Sequence, residues 1–589
     1  MIRRIVVALL ACVLSVDVSG QIPQASFDLS ELRRLPVLDG NRYKPFDAYA
    51  RDWVTAITGE LTPKRPVPGS APLKIDPLLY YLDWMWNPSA ARAEACILVD
   101  TPGARTMMGL APDKIESQRV SYDFLTNNAE YNRLNAELRR RPGASLNKDE
   151  TELRQVTDRK NRLGEIAGLN PGWENVPDEF RGGPTFVPPK AAPVVGEEYH
   201  WGTVANLPNF GYPGEKTDAV LAAWKRLGTA WKAIDAAAFA AASKDLRIAV
   251  DTLGARGYKQ ELIDREVRFL AANPFSHASW LYTLSIILGI VAIAWRNRVF
   301  HVAAVLPSIV GLGYHAWGLA ERTAISERAM IGNIYESLIF VSAVTVFIAV
   351  VCEAWWKSRW FLVVGALLGM VALKVALEHP TFMPPGISTL QPVLINNFWI
   401  HIHVPVIVAS YAPLALAAVL ANVWLVMRTF RPESCPQLRE IARIQTWIVA
   451  PGVILLFAGL ILGGIWADQS WGRFWGWDPK ETWGLITMLV FVIVIHGRWV
   501  GWLRDFGVSI GNVLGGAALL FTYYGVNFFL SGLHSYAGAG DSAAGVSIWQ
   551  KVPGWMWAYV VIQIVIVAAA TIRSKAAGGG VASDGLGRA

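Results

Sequence analysis

From Ser279 onward the chain breaks into nine apolar segments, at about 279–296, 300–319, 335–356, 359–377, 397–427, 444–466, 482–499, 507–531 and 554–572. Each comes near the roughly 20 residues that carry a helix across about 30 Å of hydrocarbon. The segment at 397–427 is long enough to tilt or protrude. With only 17% charged residues over 589 positions and 53% hydrophobic ones, a string of soluble domains is excluded. The predicted fold class is an all-α polytopic integral membrane protein with about nine core transmembrane helices.

Short basic loops orient these helices. "WRNR" at 295–298, "KSR" at 357–359, "MRTFRPESCPQLREIAR" at 427–443, "GRWVGWLRD" at 497–505 and "RSK" at 573–575 fall on alternate sides of the spans, which assigns them to the cytoplasm. The loops at 320–334, 378–396, 467–481 and 532–553 are then outside. The opening "MIRRIVVALLACVLSVDVSGQ" reads as a secretory signal or uncleaved anchor over 1–20 and exports the residues after it. Two independent features therefore predict one orientation.

Residues 21–278 form an expected extracytoplasmic domain. Helical spacing recurs in "TELRQVTDRKNRLGEIAGL" and in "KTDAVLAAWKRLGTAWKAIDAAAFAAASKDLRIAVDTL", and "RGGPTFVPPKAAPVVGEEYH" is a Pro/Gly-rich connector. The membrane domain is expected over 279–575, with a disordered cytoplasmic tail at 576–589. The net charge of +7 belongs to the cytoplasmic loops, and no basic stripe or motif indicates a nucleic-acid partner. Cys12, Cys96, Cys352 and Cys435 form no CxxC, and only Cys96 falls in the extracytoplasmic domain. A structural disulfide and dithiol chemistry by this chain alone are not expected.

"WGRFWGWDPKETWG" begins at Trp471 and puts four tryptophans in thirteen residues, with Asp478, Lys480 and Glu481 among them. An aromatic girdle at the headgroups is the plain alternative, but a girdle does not require those three charges in one short loop. His403, in "NNFWIHIHVPVIVASY", and His534, in "SGLHSYAG", lie near the same outer plane. Flat aromatic surface between two imidazoles suits haem, whose iron takes axial nitrogens from both faces and whose propionates pair with bases such as Arg473 and Lys480.

His496, in "FVIVIHGRW", lies about 14 residues from the outer end of its span, roughly 21 Å toward the cytoplasm at 1.5 Å per residue. A polar ring at that depth requires a partner or a function. Depth favours His301 over His315 as a second ligand of an inner site, and an ordinary interfacial role for His301 stays open. Haem would then enter near His496 and leave at the tryptophan shelf.

"WGRFWGWDPKETWGLITMLVFVIVIHGR" closely resembles the tryptophan-rich (WWD) signature of the CcsA/ResC-type haem-handling family of cytochrome c biogenesis proteins. "MIGNIYESLIF" at 330–340 is similar to a second segment of that family, and His403, His534 and His496 match its external and membrane histidines; the likeness covers about 279–572. The extended "LRRLPVLDGNRYKPFDAYARD" resembles a segment near the start of some longer members, and a lead-in strand packed on the domain is the alternative. The resemblance implies a system II cytochrome c synthase (haem lyase) component in the bacterial cytoplasmic (inner) membrane. It would carry haem b as substrate and bound ligand, and present it outside for thioether attachment to the CxxCH of apocytochrome c.

Implied partners are apocytochrome c, a CcsB/ResB-like membrane protein and thiol-reducing pathway proteins. Implied iron ligands are His403, His534 and His496, with His403, His534, Trp475, Trp477 and Asp478 in the attachment step. Trp471, Gly472, Arg473 and Lys480, with His301, His315 or a histidine of the CcsB/ResB-like partner inside, complete the expected haem contacts. Glu481 and Trp483 are either haem contacts or ordinary structure at the start of the next helix, and Glu336 is expected to pair within the bundle or to stay in the headgroup zone, with a structural role more than a ligating one. The competing functions are a haem exporter or chaperone without ligase activity, and a quinol-linked electron-transfer subunit holding b-type haem.

Overall fold

The computed structural model describes residues 27–583 except 41, 68–69, 113, 115–117, 142–145, 172, 174–175, 188–200, 254–257, 296–297, 391–397 and 531–553. The proposed signal segment, Cys12 and His534 lie outside the described residues. Among the described residues, nine helices are long and apolar enough to cross a membrane, and the named strands form three two-stranded antiparallel ribbons. This is the all-α polytopic architecture that the apolar segments predict.

The amino-terminal region builds its own core from Leu32, Phe46, Tyr81, Trp84, Trp224 and Phe239. Strand β1 (Pro36–Asp39) pairs antiparallel with β2 (Arg42–Pro45), opposing Asp39 to Arg42. They lead into α1 (Phe46–Thr58). The two periodic stretches of sequence become α2 (Lys148–Ile166), then α3 (Gly214–Lys232) and α4 (Ala236–Thr252). Helix α2 starts at a capping box in which Asn147 accepts from the Glu150 N–H and the Glu150 carboxylate accepts from the Asn147 N–H. Cys96 is buried there, and desolvation pushes its thiol well above the usual range, so it is a poor source of thiolate.

An amphipathic α5 (Gln260–Ala272) runs into α6 (Pro274–Trp295) through Asn273, whose left-handed φ of 40° joins the two. The membrane helix thus starts at Pro274, earlier than the apolar run at Ser279. It is followed by α7 (Arg298–Ser326), α8 (Ile334–Trp356) and α9 (Trp360–Glu378). A 3₁₀ turn at Phe398–His401 precedes α10 (His403–Phe430), and α11 (Pro436–Trp471) and α12 (Pro479–Trp499) follow. Helix α13 spans Asp505–Leu520 and continues through a π turn at Phe521–Gly525 into Val526–Phe529. The last helix, α14, is Gly554–Ser583.

Helix α11 extends beyond its apolar run at both ends. At its start Leu438, Ile441 and Ile444 are buried, and Trp424 Nε1 donates to the Leu438 carbonyl at 2.9 Å, closing the α10–α11 hairpin. At its finish Gly472 adopts φ 68° and returns its N–H to Asp468, a left-handed stop that needs no Cβ. The tryptophan loop is therefore shorter than the sequence predicts, and Trp471 is the last residue of a helix.

The nine helices pack as two groups. Tyr282, Ile339 and Leu373 centre the group α6–α9, and Leu420, Trp424 and Phe491 centre the group that includes α10–α12. Helix α8 packs on α10, and Tyr523 touches both cores.

At one end of the bundle lies Glu336, 2% exposed. Its carboxylate accepts from Arg322 at 3.0 Å, from Arg328 at 2.8 and 2.9 Å and from the Gly332 N–H at 2.8 Å, while Asn333 caps its own N–H at 2.8 Å. The arginines reach onward to the carbonyls of Pro385 (2.7 Å) and Ser388 (2.9 Å). Between these, Ile387 accepts from Arg42 of the amino-terminal domain at 2.9 Å, and Arg42 also pairs with Glu266 at the domain's edge. One carboxylate thus organises the loops on which the amino-terminal domain sits. Replacing Glu336 by Ala leaves two guanidiniums buried without their counter-charge, a loss of about 3–5 kcal/mol. We predict a lower melting temperature in detergent and faster proteolytic cleavage between the two domains, whereas Glu137→Ala on the exposed surface should change neither.

Candidate functional site

His403 is the first residue of α10 and is half-buried. Its Nδ1 lies 2.9 Å from the Gly459 carbonyl oxygen of α11. A carbonyl only accepts, so Nδ1 carries the proton and the lone pair belongs to Nε2. The ring stands edge-on to Trp466 at 5.7 Å. A Cβ on Gly463 would meet His403 Cε1 at 2.7 Å, so the imidazole sits where only glycine leaves room. Trp399 Nε1 donates to Gln469 at 2.6 Å and ties the lead-in to α10 to the end of α11.

The loop is built by the same close approach. Phe474 folds back on α11, where a Cβ on Gly464 would meet its ring at 2.6 Å. The Arg473 guanidinium lies so close to Gly476 that a Cβ there would overlap it. Trp475 and Trp477 meet edge-to-face at 5.9 Å, and Trp471 and Trp477 are 49% and 70% exposed. Trp477 adopts φ 55°, an uncommon conformation for a bulky residue. Glu481 holds it there by accepting from the N–H groups on either side, Gly476 at 2.8 Å and Asp478 at 3.2 Å.

Asp478 is buried and caps α12 by accepting from the Lys480 N–H at 2.8 Å. Its carboxylate and that of Glu481 form a capping box. Both acids in the motif therefore hold the loop, while the tryptophans form its open surface. Lys480 turns away from that surface and donates to Asn527 at 2.7 Å. Trp483 packs on Phe521 of the π turn.

The wall behind His403 continues toward the amino-terminal domain. Ala329, Leu390 and Ile400 form a small cluster against Val404 and Trp466. Arg328, next to Ala329, and Ser388, two residues before Leu390, belong to the Glu336 network. The Glu336 network and the tryptophan loop thus share one end of the bundle.

The structure separates the histidines at other depths. His496 is exposed, beside Trp499 at 5.5 Å, with Nδ1 donating to the Val492 carbonyl at 2.9 Å and the lone pair again on Nε2. His301 sits in the other helix group, its Nε2 3.5 Å from Glu353, and its Nδ1 has no hydrogen-bond partner among the described residues. Helix α7 packs on α5, α6, α8 and α9, whereas α12 packs on α11 and α13. His301 and His496 are thus not brought together. His315 is 0% exposed, bonded to Tyr282 at 3.2 Å and flanked by Phe275, which leaves no face for a macrocycle.

Sequence reading did not identify the seat of this arrangement, Gly459, Gly463 and Gly464, nor Phe474 and Asn527. The available signal was "GLILGG" just before the tryptophan motif, small residues about a helical turn apart. Among the described residues no group of three His, Cys, Asp or Glu side chains could hold a metal ion.

Residues 331–534 match the family described as cytochrome C assembly protein. The chain is 34% identical over 229 residues to the protein NrfI of Wolinella succinogenes, covering 38% of this chain and 25% of NrfI. It is 31% identical over 258 residues to the cytochrome c biogenesis protein CcsA of Trieres chinensis, covering 37% of this chain and 81% of that one. To CcsA of Mesostigma viride it is 28% identical over 302 residues, 46% of this chain and 97% of the relative. The family match starts just before α8 and takes in the Glu336 segment, the seat of His403 and the tryptophan loop; by these likenesses the chain belongs to the CcsA-type, haem-handling family of cytochrome c biogenesis proteins.

Proposed function

We propose that this chain carries haem b across the bacterial cytoplasmic membrane and presents it outside for thioether attachment to the CxxCH of apocytochrome c. The observation that carries the reading is His403, with its proton held on Nδ1 by Gly459 and its ring lodged between Trp466 and Gly463, one residue along α11 from Gly464, on which Phe474 of the tryptophan loop packs. A metal-binding histidine whose other nitrogen is tied to a carbonyl is fixed in tautomer and orientation. Trp471, Trp475 and Trp477 offer apolar surface to the macrocycle, Arg473 a base for a propionate, and His534 the second axial nitrogen. The basic loops put the amino-terminal domain and the tryptophan loop outside and the carboxyl terminus inside.

Attachment adds a cysteine S–H across a haem vinyl group, forming one S–C and one C–H bond with no net change in electron count. It needs reduced haem and two free thiols near the correct carbons. The chain's part is to hold the ring in one orientation and exclude water, which can supply several kcal/mol of a barrier. The acids of the loop hold its shape, and no side chain is required as a general base. Cys96 is too buried to supply a thiol, so reduced cysteines come with the substrate, kept so by separate thiol-reducing proteins. His496 stands exposed on its helix, apart from His301, which favours a CcsB/ResB-like membrane protein as the source of its second ligand. The amino-terminal domain, 21–278, docks the apocytochrome or that partner.

The reduced absorption spectrum and pyridine haem content of protein purified in detergent test this reading. His403→Ala and His534→Ala should lose or alter one haem and His496→Ala another, and a haem-free wild type from haem-replete cells would sink it. Appearance of covalent cytochrome c only when the chain is co-expressed separates ligation from export or from a resident electron-transfer haem. Gly463→Ala should weaken haem binding about tenfold in titrations of the apoprotein, because its methyl pushes the imidazole off Gly459, an overpacking cost of about 1–3 kcal/mol.

A further inference from the structure

Lys480 belongs to the tryptophan motif, yet its ammonium is directed along the helix interface. Its Nζ donates to Asn527 Oδ1 at 2.7 Å, and Asn527 is 1% exposed near the end of α13. Two more polar contacts join the same helices: Thr522 Oγ1 lies 3.0 Å from the Trp483 carbonyl oxygen and 2.7 Å from Thr487 Oγ1, its one proton shared between that carbonyl and Ala518 of its own helix. Residues 480, 483 and 487 fall at i, i+3 and i+7, one stripe of α12. The Asn527 amide in turn donates to the Tyr523 carbonyl, and the Tyr523 hydroxyl lies 2.7 Å from Ser337 Oγ, one residue after Glu336.

On α13 the matching residues, Thr522 and Asn527, are five apart. In an unbroken α-helix five residues would turn the second side chain about 140° from the first. The π turn at Phe521–Gly525, with its i to i+5 bonding, removes that mismatch and brings both onto the face of α12. An ammonium half-buried between membrane helices needs a specific partner, and here the backbone of the facing helix is rewound to supply one.

We infer that Lys480 is a positioning residue, not a propionate ligand. With Asn527 and the π turn it fixes the end of α13, the point from which the chain leads to His534, against the first turn after the tryptophan loop. This rests on the haem reading proposed above. The device sets where the segment carrying the second axial histidine starts relative to His403 and the loop.

The test is the distance between spin labels at Ser470→Cys and Leu530→Cys in the full chain with its four native cysteines replaced by serine. The distance distribution should be narrow with Lys480, broad with Lys480→Met and narrowed again with Lys480→Arg. Asn527→Leu should broaden it equally, and the double variant no further, which keeps the test open if one variant accumulates poorly. In parallel, Lys480→Met should bind haem about tenfold more weakly, the low end for loss of a ligand-supporting contact, with added imidazole restoring the wild-type spectrum. An unchanged narrow distribution in Lys480→Met overturns the inference. Broadened distances in a protein that holds no haem even as wild type would support the positioning and overturn the haem reading instead.

Discussion

The carboxylate of Glu336 is removed from water and held by two guanidiniums and a backbone N–H. Desolvating a charge in this way is costly, and the cost is met only because each donor is aimed by something else. The excess positive charge of the two arginines goes to the carbonyls of Pro385 and Ser388. Those carbonyls flank Ile387, which accepts Arg42 of the amino-terminal domain. Next along the chain, Leu390 meets Ile400 and Trp466 behind His403. Domain docking and the wall of the candidate haem site thus derive from one ion cluster.

The site itself rests on close approach. Helix α11 presents Gly459, Gly463 and Gly464 on its way to the tryptophan loop, and each takes a group that a side chain would displace: Ile407 on the first, the His403 imidazole on the second, Phe474 on the third. The loop then turns at Gly472 and holds Trp477 left-handed between two N–H groups bonded to Glu481. Conformations of this kind persist where neighbouring contacts over-determine them, often at functional sites. The result is a short loop with its acids turned to the backbone and its indoles to the open side.

Particular residues mark how far the sequence could be read. The density of indoles around Asp478 and Lys480 marked the loop, and the position of His403 at a span end marked a ring that packs on α11 at Gly463, ahead of that loop. Which way Lys480 points was not legible, since it depends on a π turn some forty residues later whose residues, "FTYYG", carry no strong local signal. Depth along a helix favoured His301 as a partner for His496, but depth is a single coordinate. Packing put the two on different helix groups, and enclosed His315 between Tyr282 and Phe275.

The amino-acid sequence by itself determined the membrane class, the nine helices and the tryptophan motif, because span length, apolarity and a dense local pattern are properties of a continuous stretch of chain. Helix ends were only approximate for the same reason: α11 outruns its apolar segment, stopped by a glycine rather than by a change in polarity. Tertiary structure decided which rings meet, which nitrogen of His403 carries the proton and where the motif's charges go. A helix offers every face to its surroundings and a side chain several rotamers, so only the contacts of neighbouring helices select among them.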